Sequence, residues 1–276
     1  MNSLKKSNKF ALVLAIVLAV FFLVPLLYMF FTSFKTLAES IASPALLPRN
    51  WTLENYQNLL LESSDTPILR WLLNTAIVTV IGTILVVVID VFAAYALARL
   101  QLPFKRAAFG IIVLSMVVPG IVTLFPNFFI MKEFGFIDTY VPLILIYTSS
   151  SIGVFMIYNF LKDFPIELEE AAVLDGASRW QILRYIVFPS IKGPVTTLAV
   201  MTFLAIYNDF LWPSLVTSNQ EMKTVTVGVA SLVQGQNFVN PGRMMAATVI
   251  ATVPALIIFL YANKYFVQND KSVGIK

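Results

Sequence analysis

Residues Phe10 to Phe31 read FALVLAIVLAVFFLVPLLYMFF, twenty-two positions without a charge or an amide. About 20 helical residues cross a hydrocarbon core about 30 Å thick, so this stretch is long and apolar enough to span a bilayer. Lys5, Lys6 and Lys9 precede it, as basic residues precede a secretory signal. The run outlasts the ~7–15 apolar residues of a signal. Its second half carries Phe21-Phe22 and Phe30-Phe31, and no small-x-small cleavage site follows before Lys35. A retained membrane helix is the expectation.

Five further stretches meet the same requirement: Asn74–Leu97, Ala107–Phe129, Tyr140–Leu161, Pro194–Trp212 and Met244–Phe266. The predicted fold is an all-α, polytopic bundle of six transmembrane helices over residues 10–266, with short ends at 1–9 and 267–276. Composition agrees. The 276 residues are 58% hydrophobic and 12% charged, with mean hydropathy +0.82, whereas a soluble domain carries about 25% charged residues. A compact soluble fold has too little polar surface to hide that excess. A cytosolic enzyme, a disordered chain and a nucleic-acid-binding domain are excluded. The net charge of +4 fits basic cytoplasmic loops rather than an acidic partner.

The sequence has no Cys and no His. Disulfides, iron–sulfur clusters, thiolate or His-ligated zinc, a Ser-His-Asp triad and a His relay are therefore impossible. No glycine opens a G-x-x-x-x-G-K-[ST] phosphate loop. No cofactor, metal site or catalytic residue is expected, and any ATP hydrolysis belongs to another chain. Of the 19 Lys and Arg residues, thirteen fall on one side of the six spans and six on the other. The basic side is cytoplasmic by the positive-inside rule, which places both termini inside.

The most charged connection, 162–192, lies on the cytoplasmic side. Asp163 is predicted to cap a short helix that starts near Pro165, with Glu167, Glu169 and Glu170 at its positive end. Gly176 supplies the left-handed stop. A second helix is expected over Arg179–Phe188, ending at Pro189 and carrying Trp180, Leu183 and Val187 on one face. Two readings stay open on pattern alone: a solvated linker, or a docking element for a cytosolic partner.

Glu170-Ala171-Ala172, three residues, Gly176, nine residues and Ile186-Val187-Phe188-Pro189 resemble the E-A-A-x3-G-x9-I-x-L-P loop of ATP-binding-cassette (ABC) importer permeases, with Phe188 in place of the usual Leu. Ala93-Ala94-Tyr95-Ala96-Leu97-Ala98-Arg99, Gly135-Phe136-Ile137-Asp138-Thr139-Tyr140 and Tyr207-Asn208-Asp209-Phe210-Leu211-Trp212-Pro213 are similar to the carbohydrate-type members. The ending Lys271-Ser-Val-Gly-Ile-Lys276 departs from their glycine-richer tail. The resemblance implies a maltose- or multiple-sugar-type permease that pairs with a second permease, two cytosolic ATPases and an extracellular binding protein. It makes the first loop helix the coupling helix. Glu169, Glu170 and Asp175 would pair with a groove rim, Ala171 and Ala172 would allow close approach, and Gly176, Ile186 and Pro189 would shape the turn back. Ile166, Val173 and Leu174 would carry most of the affinity, because exposed ion pairs contribute only about 0–1 kcal/mol.

Candidate pathway residues are Tyr207, Asn208, Asp209 and Trp212, then Asn127, Tyr147, Thr148 and Ser149–Ser151. Sugars take hydrogen bonds from polar side chains and ring faces from aromatics, but an interfacial aromatic belt with a capping Asn/Asp is equally consistent with this cluster. No Lys or Arg lies deep in a span, which favours a neutral solute. Asp90 lies inside the second span, where a carboxylate marks either a polar contact between helices or a proton relay. A relay would mean a secondary transporter, but no second deep carboxylate completes one. Pro25, Pro119-Gly120, Pro126 and Pro254 interrupt spans and mark expected kinks, with Pro119-Gly120 the best gate candidate. An importer of another solute, such as a glycerol-phosphate ester, would share the coupling loop.

Overall fold

The computed structural model describes residues 2–61, 66–234 and 240–273. The last three residues of the atypical tail and positions 235–239 of the connection before the last span lie outside that set. In chain order the α-helices are α1 (Asn2–Thr32), α2 (Leu37–Ala42), α3 (Glu54–Leu60), α4 (Ile68–Arg99), α5 (Lys105–Ser115), α6 (Gly120–Glu133), α7 (Tyr140–Leu145), α8 (Ser151–Asp163), α9 (Glu167–Leu174), α10 (Arg179–Ile182), α11 (Phe188–Ser190), α12 (Lys192–Tyr207), α13 (Leu211–Val216), α14 (Val225–Gln234) and α15 (Pro241–Val273). A π turn (Leu183–Val187) joins α10 to α11, and a 3-10 turn (Gln220–Met222) precedes α14. Among the described residues the extended structure is one isolated bridge, Lys35 to Trp51.

Three stretches are long and apolar enough to cross a membrane alone: Lys9–Thr32, Ile68–Arg99 and Pro241–Tyr261. Two more qualify as bent pairs, α5 with α6 at 97° and Arg179–Ser190 with α12 at 75°. The first bend falls at 116–119, where Pro119 has no N–H and biases Val118 away from helical ψ. The fourth expected stretch, Tyr140–Leu161, is not one helix. It is divided into α7 and α8 by a break at 146–150, and neither piece reaches the ~20 residues of a crossing. Ser150 explains the restart, since its hydroxyl accepts from Gly153 N at 3.3 Å and caps α8.

Two further expectations are corrected. Asp163 closes α8 instead of capping α9, which has no side-chain cap. Pro189 does not end the second loop helix, which runs on through Ser190. Proline cannot donate to the carbonyl of Tyr185, and the turn just before it widens into the π form. The chain then bends before Lys192.

The chain divides into two compact units: Met1–Trp71 with Val227–Pro254, and Leu72–Thr226 with Ala255–Lys276. In the first, Phe34 packs on Trp51 and Tyr56 with centroids 5.7 and 5.2 Å apart. Lys35 is fully buried, its ammonium donating to the carbonyls of Ser43 and Ala45. Asn55 Nδ2 donates to Ser33 O and Lys35 O, each at 2.9 Å. The outward face of α1 (Phe10, Phe21, Phe22, Leu23) is exposed, a surface suited to lipid.

The second unit has two apolar clusters. One gathers Val86, Val91 and Ala94 of α4, Val154, Ile157 and Leu161 of α8, and Ile182, Leu183 and Val187. The other gathers Val78, Met131, Leu143, Ile206, Trp212 and Val216. Lipid tails are as apolar as these side chains, so close packing and polar contacts, rather than water exclusion, must hold such helices together.

Candidate coupling and pathway sites

The loop 162–192 folds as two helices around a turn. α9 ends at Leu174, and Gly176 takes φ +83°, the left-handed conformation that glycine adopts without a Cβ penalty. Ser178 caps α10 through a reciprocal box with Gln181. The second helix is not a solvated element: Ile182, Leu183 and Val187 are buried in the first cluster with α4 and α8. Trp180 lies outside that core, stacked on Phe92 at 6.3 Å. Ile186 is half-buried and Pro189 is exposed.

α9 has two faces. Ala172 packs toward the core, whereas Ala171, Glu170 and Asp175 are exposed. Ile166, Leu168, Val173 and Leu174 are also exposed, Leu174 to 89%. A cleft of about 490 Å³ lies here, lined by Arg99, Gln101, Ile166, Glu169, Glu170, Val173, Leu174 and Arg179. Ile166, Val173 and Leu174 thus form an exposed apolar end beside the exposed carboxylates of Glu170 and Asp175.

Glu169 departs from the expectation. It is 3% exposed, and its Oε1 accepts from Arg99 Nε at 2.6 Å. Arg99 Nη2 also donates to Phe164 O at 2.8 Å. The carboxylate expected on a partner's rim is thus engaged within this chain, which leaves Glu170 and Asp175 for that role. Arg99 was legible only as the end of the Ala93–Arg99 string, with nothing in the sequence to indicate its acceptor.

Asp90 is fully buried. Its carboxyl oxygens accept from Ser150 N at 3.0 and 3.2 Å, so it serves the open N-terminus of α8 from a neighbouring helix. This is the contact between helices weighed above. Gly153 makes room for it.

Among the pathway candidates, Tyr147, Asp209 and Trp212 are brought together around the α7–α8 break and the end of α12. Tyr147 OH donates to Asp209 Oδ2. Asp209 Oδ1 accepts from Leu211 N at 3.0 Å, and its carbonyl accepts from Thr226 Oγ1 at 2.8 Å. Trp212 is 3% exposed and donates to Pro142 O at 3.0 Å, so its ring is packing and presents no face to a solute. Tyr207 is buried and stacks on Phe203 at 6.0 Å. Asn208 is exposed, its amide donating to Leu204 O at 2.8 Å. Asn127 is half-buried on α6, beside Leu124 and Phe128 of the second cluster.

The Tyr147–Asp209 pair therefore frames the site. Hydrogen bonds to charged groups are worth about 1.5–3 kcal/mol, and Asp209 makes two beyond its carbonyl. Asp209→Ala is expected to destabilise by about 2–4 kcal/mol and Tyr147→Phe by about 1–2 kcal/mol, read from thermal unfolding in detergent. Unchanged unfolding temperatures in both would show that the pair has no framing role.

Two polar groups were missed by sequence reasoning. Asn74, fully buried, donates to Glu221 O at 2.7 Å and Lys223 O at 2.9 Å, and accepts from Tyr140 OH at 2.6 Å. Asp138, at φ +60°, accepts from Ser218 N and Asn219 N at 2.6 and 2.7 Å. Together they pin the segment 216–225.

Helices long enough to cross a membrane and further apolar helices bent in pairs mark a polytopic, all-helical membrane protein. Residues 90–269 match the family described as "Binding-protein-dependent transport system inner membrane component", and this chain belongs to that family. It is 33% identical to the sulfoquinovosyl glycerol transport system permease protein SmoH of Agrobacterium fabrum, over 92% of this chain and 89% of that one. It is 31% identical to the diacetylchitobiose uptake system permease protein NgcG of Streptomyces coelicolor, over 89% and 82%. Against the sn-glycerol-3-phosphate transport system permease protein UgpE of Rhizobium meliloti the identity is 28%, over 94% and 93%. A crystal structure of a bacterial ABC transporter involved in import of the acidic polysaccharide alginate shares the fold, with TM-score 0.83 over 95% of this chain and 98% of that one at 22% identity. The protein is thus a permease component of an ABC importer in the cytoplasmic membrane, a transport subunit and not an enzyme. The secondary-transporter alternative falls with that assignment.

Proposed function

We propose that this chain carries a sugar or oligosaccharide across the membrane by alternating access. It works with a second permease, two cytosolic ABC ATPases and an extracellular binding protein. Six passes over residues 10–266, the fourth of them a broken crossing made by α7 and α8 together, leave both termini, 1–9 and 267–276, in the cytoplasm. The connection 162–192 is the ATPase-facing loop, and α9 is its coupling helix. Glu170, Ala171 and Asp175 meet the ATPase groove, Ala172 seats the opposite face of α9 on the core, Gly176 sets the return angle, and Ile186 and Pro189 belong to the second loop helix that follows it. Glu169 acts from inside the permease. The solute passes the Tyr147–Asp209 frame, with Asn127, Tyr207 and Asn208 as contacts and Trp212 as backing.

The observation that carries this reading is the open apolar end of α9, with Leu174 89% exposed beside a cleft that Glu170 and Arg179 also line. For the solute, the support is the naming of relatives for diacetylchitobiose, lactose and sulfoquinovosyl glycerol. The sn-glycerol-3-phosphate relative motivates a second reading, a phosphate ester, which the lack of Lys or Arg deep in a span disfavours.

Leu174→Glu tests the docking claim. An exposed substitution changes folding by only about 0.5 kcal/mol, whereas the lost burial of a leucine in the complex is about 1.5–3 kcal/mol. ATPase co-purification should fall about 10- to 100-fold while the permease keeps its unfolding temperature. Undiminished co-purification would overturn the assignment of α9. Uptake into proteoliposomes of the complete transporter should be competed by neutral disaccharides and not by sn-glycerol-3-phosphate; the reverse pattern would establish the second reading.

A further inference from the structure

α4 is one unbroken helix from Ile68 to Arg99, and within the second unit it grips main-chain groups of its neighbours at three levels. At one end Asn74 holds the carbonyls of Glu221 and Lys223, and Thr75 Oγ1 accepts from Val225 N at 2.8 Å. Part-way along, Asp90 takes the N–H of Ser150. At the other end Arg99 takes Glu169 and the carbonyl of Phe164, the two residues that flank the start of α9. Asn74 and Arg99 are separated by about 37 Å at 1.5 Å per residue. Nothing in the transport assignment requires these hooks, and all three bind backbone groups, so they hold segments and not merely side chains.

We propose that Arg99 and Asn74 are positioning residues that make α4 a strut, fixing coupling helix α9 to the segment 221–225 so that a displacement at either reaches the other. The proposal rests on the reading of α9 as the ATPase-facing helix and on six passes with both termini inside, which puts the connection 214–243 on the extracellular side. The ion pair suits the task because Arg99 and Glu169 side chains are only 7% and 4% exposed. Charged hydrogen bonds shielded from water are stiff and directional. At the far end the amide of Asn74 spans two carbonyls and a tyrosine hydroxyl, which fixes its orientation on three sides.

The test uses the complete transporter in proteoliposomes and compares ATP hydrolysis with and without the solute-loaded binding protein. Arg99→Ala, Glu169→Gln and Asn74→Ala should each lower the stimulation ratio about 5- to 30-fold, the usual range of coupling between sites. Arg99→Ala with Glu169→Gln together should lose no more than either alone, as expected of one unit. A structural defect could mimic this, so a second arm uses the absence of Cys from the chain. In the Arg99→Cys/Glu169→Cys variant, a short cleavable thiol cross-linker added after assembly should restore stimulation, and cleavage should remove it. An additive double variant, or a tether without effect on an assembled transporter, would overturn the strut. Loss of ATPase from Leu174→Glu would leave the docking claim standing in that event. If Leu174→Glu keeps its ATPase while the Arg99 variants lose stimulation, the docking claim fails and the strut survives.

Discussion

Gly153→Ala is expected to destabilise the folded protein severely. A Cβ at this position would stand 2.0 Å from Asp90 Oδ2 and 2.9 Å from Leu198 Cδ1, closer than real Cβ contacts come. Asp90 has nowhere to go. It is fully buried, and its oxygens hold Ser150 N–H at the start of α8. Moving the carboxyl leaves that N–H and the carboxyl itself without partners in an apolar surround, and moving α8 opens the packing of Val154 and Ile157 on α4. Overpacking costs about 1–3 kcal/mol and an unsatisfied buried polar group about 1–3 kcal/mol more. A total of about 2–6 kcal/mol is a large share of the ~5–15 kcal/mol that holds a domain folded. The monodisperse fraction in detergent chromatography and the unfolding midpoint read this directly. Asp90→Ala on its own should be mildly destabilised through loss of the cap, by about 1 kcal/mol. Combined with Gly153→Ala, it should be more stable than Gly153→Ala alone, because the obstructing oxygen is gone. A Gly153→Ala protein with wild-type yield and midpoint would contradict the close approach of α4 and α8.

Gly176 gives the second large effect, for a different reason. No atom lies within 4 Å of where its Cβ would be, yet its φ is +83°. Substitution there has room and is opposed only by the backbone conformation. An L-residue pays about 1–2 kcal/mol in the left-handed region; Asn tolerates it and β-branched residues are worst. Uptake should therefore rank Gly176→Asn above Gly176→Ala above Gly176→Val. A cost of about 1–2 kcal/mol corresponds to roughly 5- to 30-fold, with valine at or beyond the upper end. By side-chain volume the order would be Ala, Asn, Val, so an Asn variant that outperforms Ala separates conformation from bulk. Gly176→Val with full uptake and normal ATPase co-purification would end the coupling assignment of this turn.

Gly176 and the two loop helices were legible because their determinants are local: a glycine stop, a proline and a run of acidic residues at a helix start. The long crossings Phe10–Phe31, Asn74–Leu97 and Met244–Phe266 were legible for the same reason, since twenty apolar residues in a row suffice. The stretch Tyr140–Leu161 misled because hydropathy does not register a break. Thr148-Ser149-Ser150 is polar, but the apolar residues on either side carry the average over it, and its hydroxyls compete for backbone partners and restart the helix. Trp212 misled because an aromatic beside Asn and Asp reads as a sugar platform, whereas its indole N–H reaches Pro142, 70 residues away in sequence.

Sequence alone determined that this chain lives in a membrane, that it is helical, that it hydrolyses nothing, and that a loop helix with a glycine turn hangs between late spans. Composition and short-range pattern carry those facts, because each follows from a few consecutive residues. Tertiary structure decided how the buried polar groups are used: Arg99 with Glu169 across 70 residues, Asp90 with Ser150 across 60, and Asn74 with Glu221 across 147. A polar side chain in an apolar helix must find a partner, so the sequence shows that a contact exists. Which group answers it depends on how the helices pack, and that is set by the sum of many contacts between segments far apart in the chain.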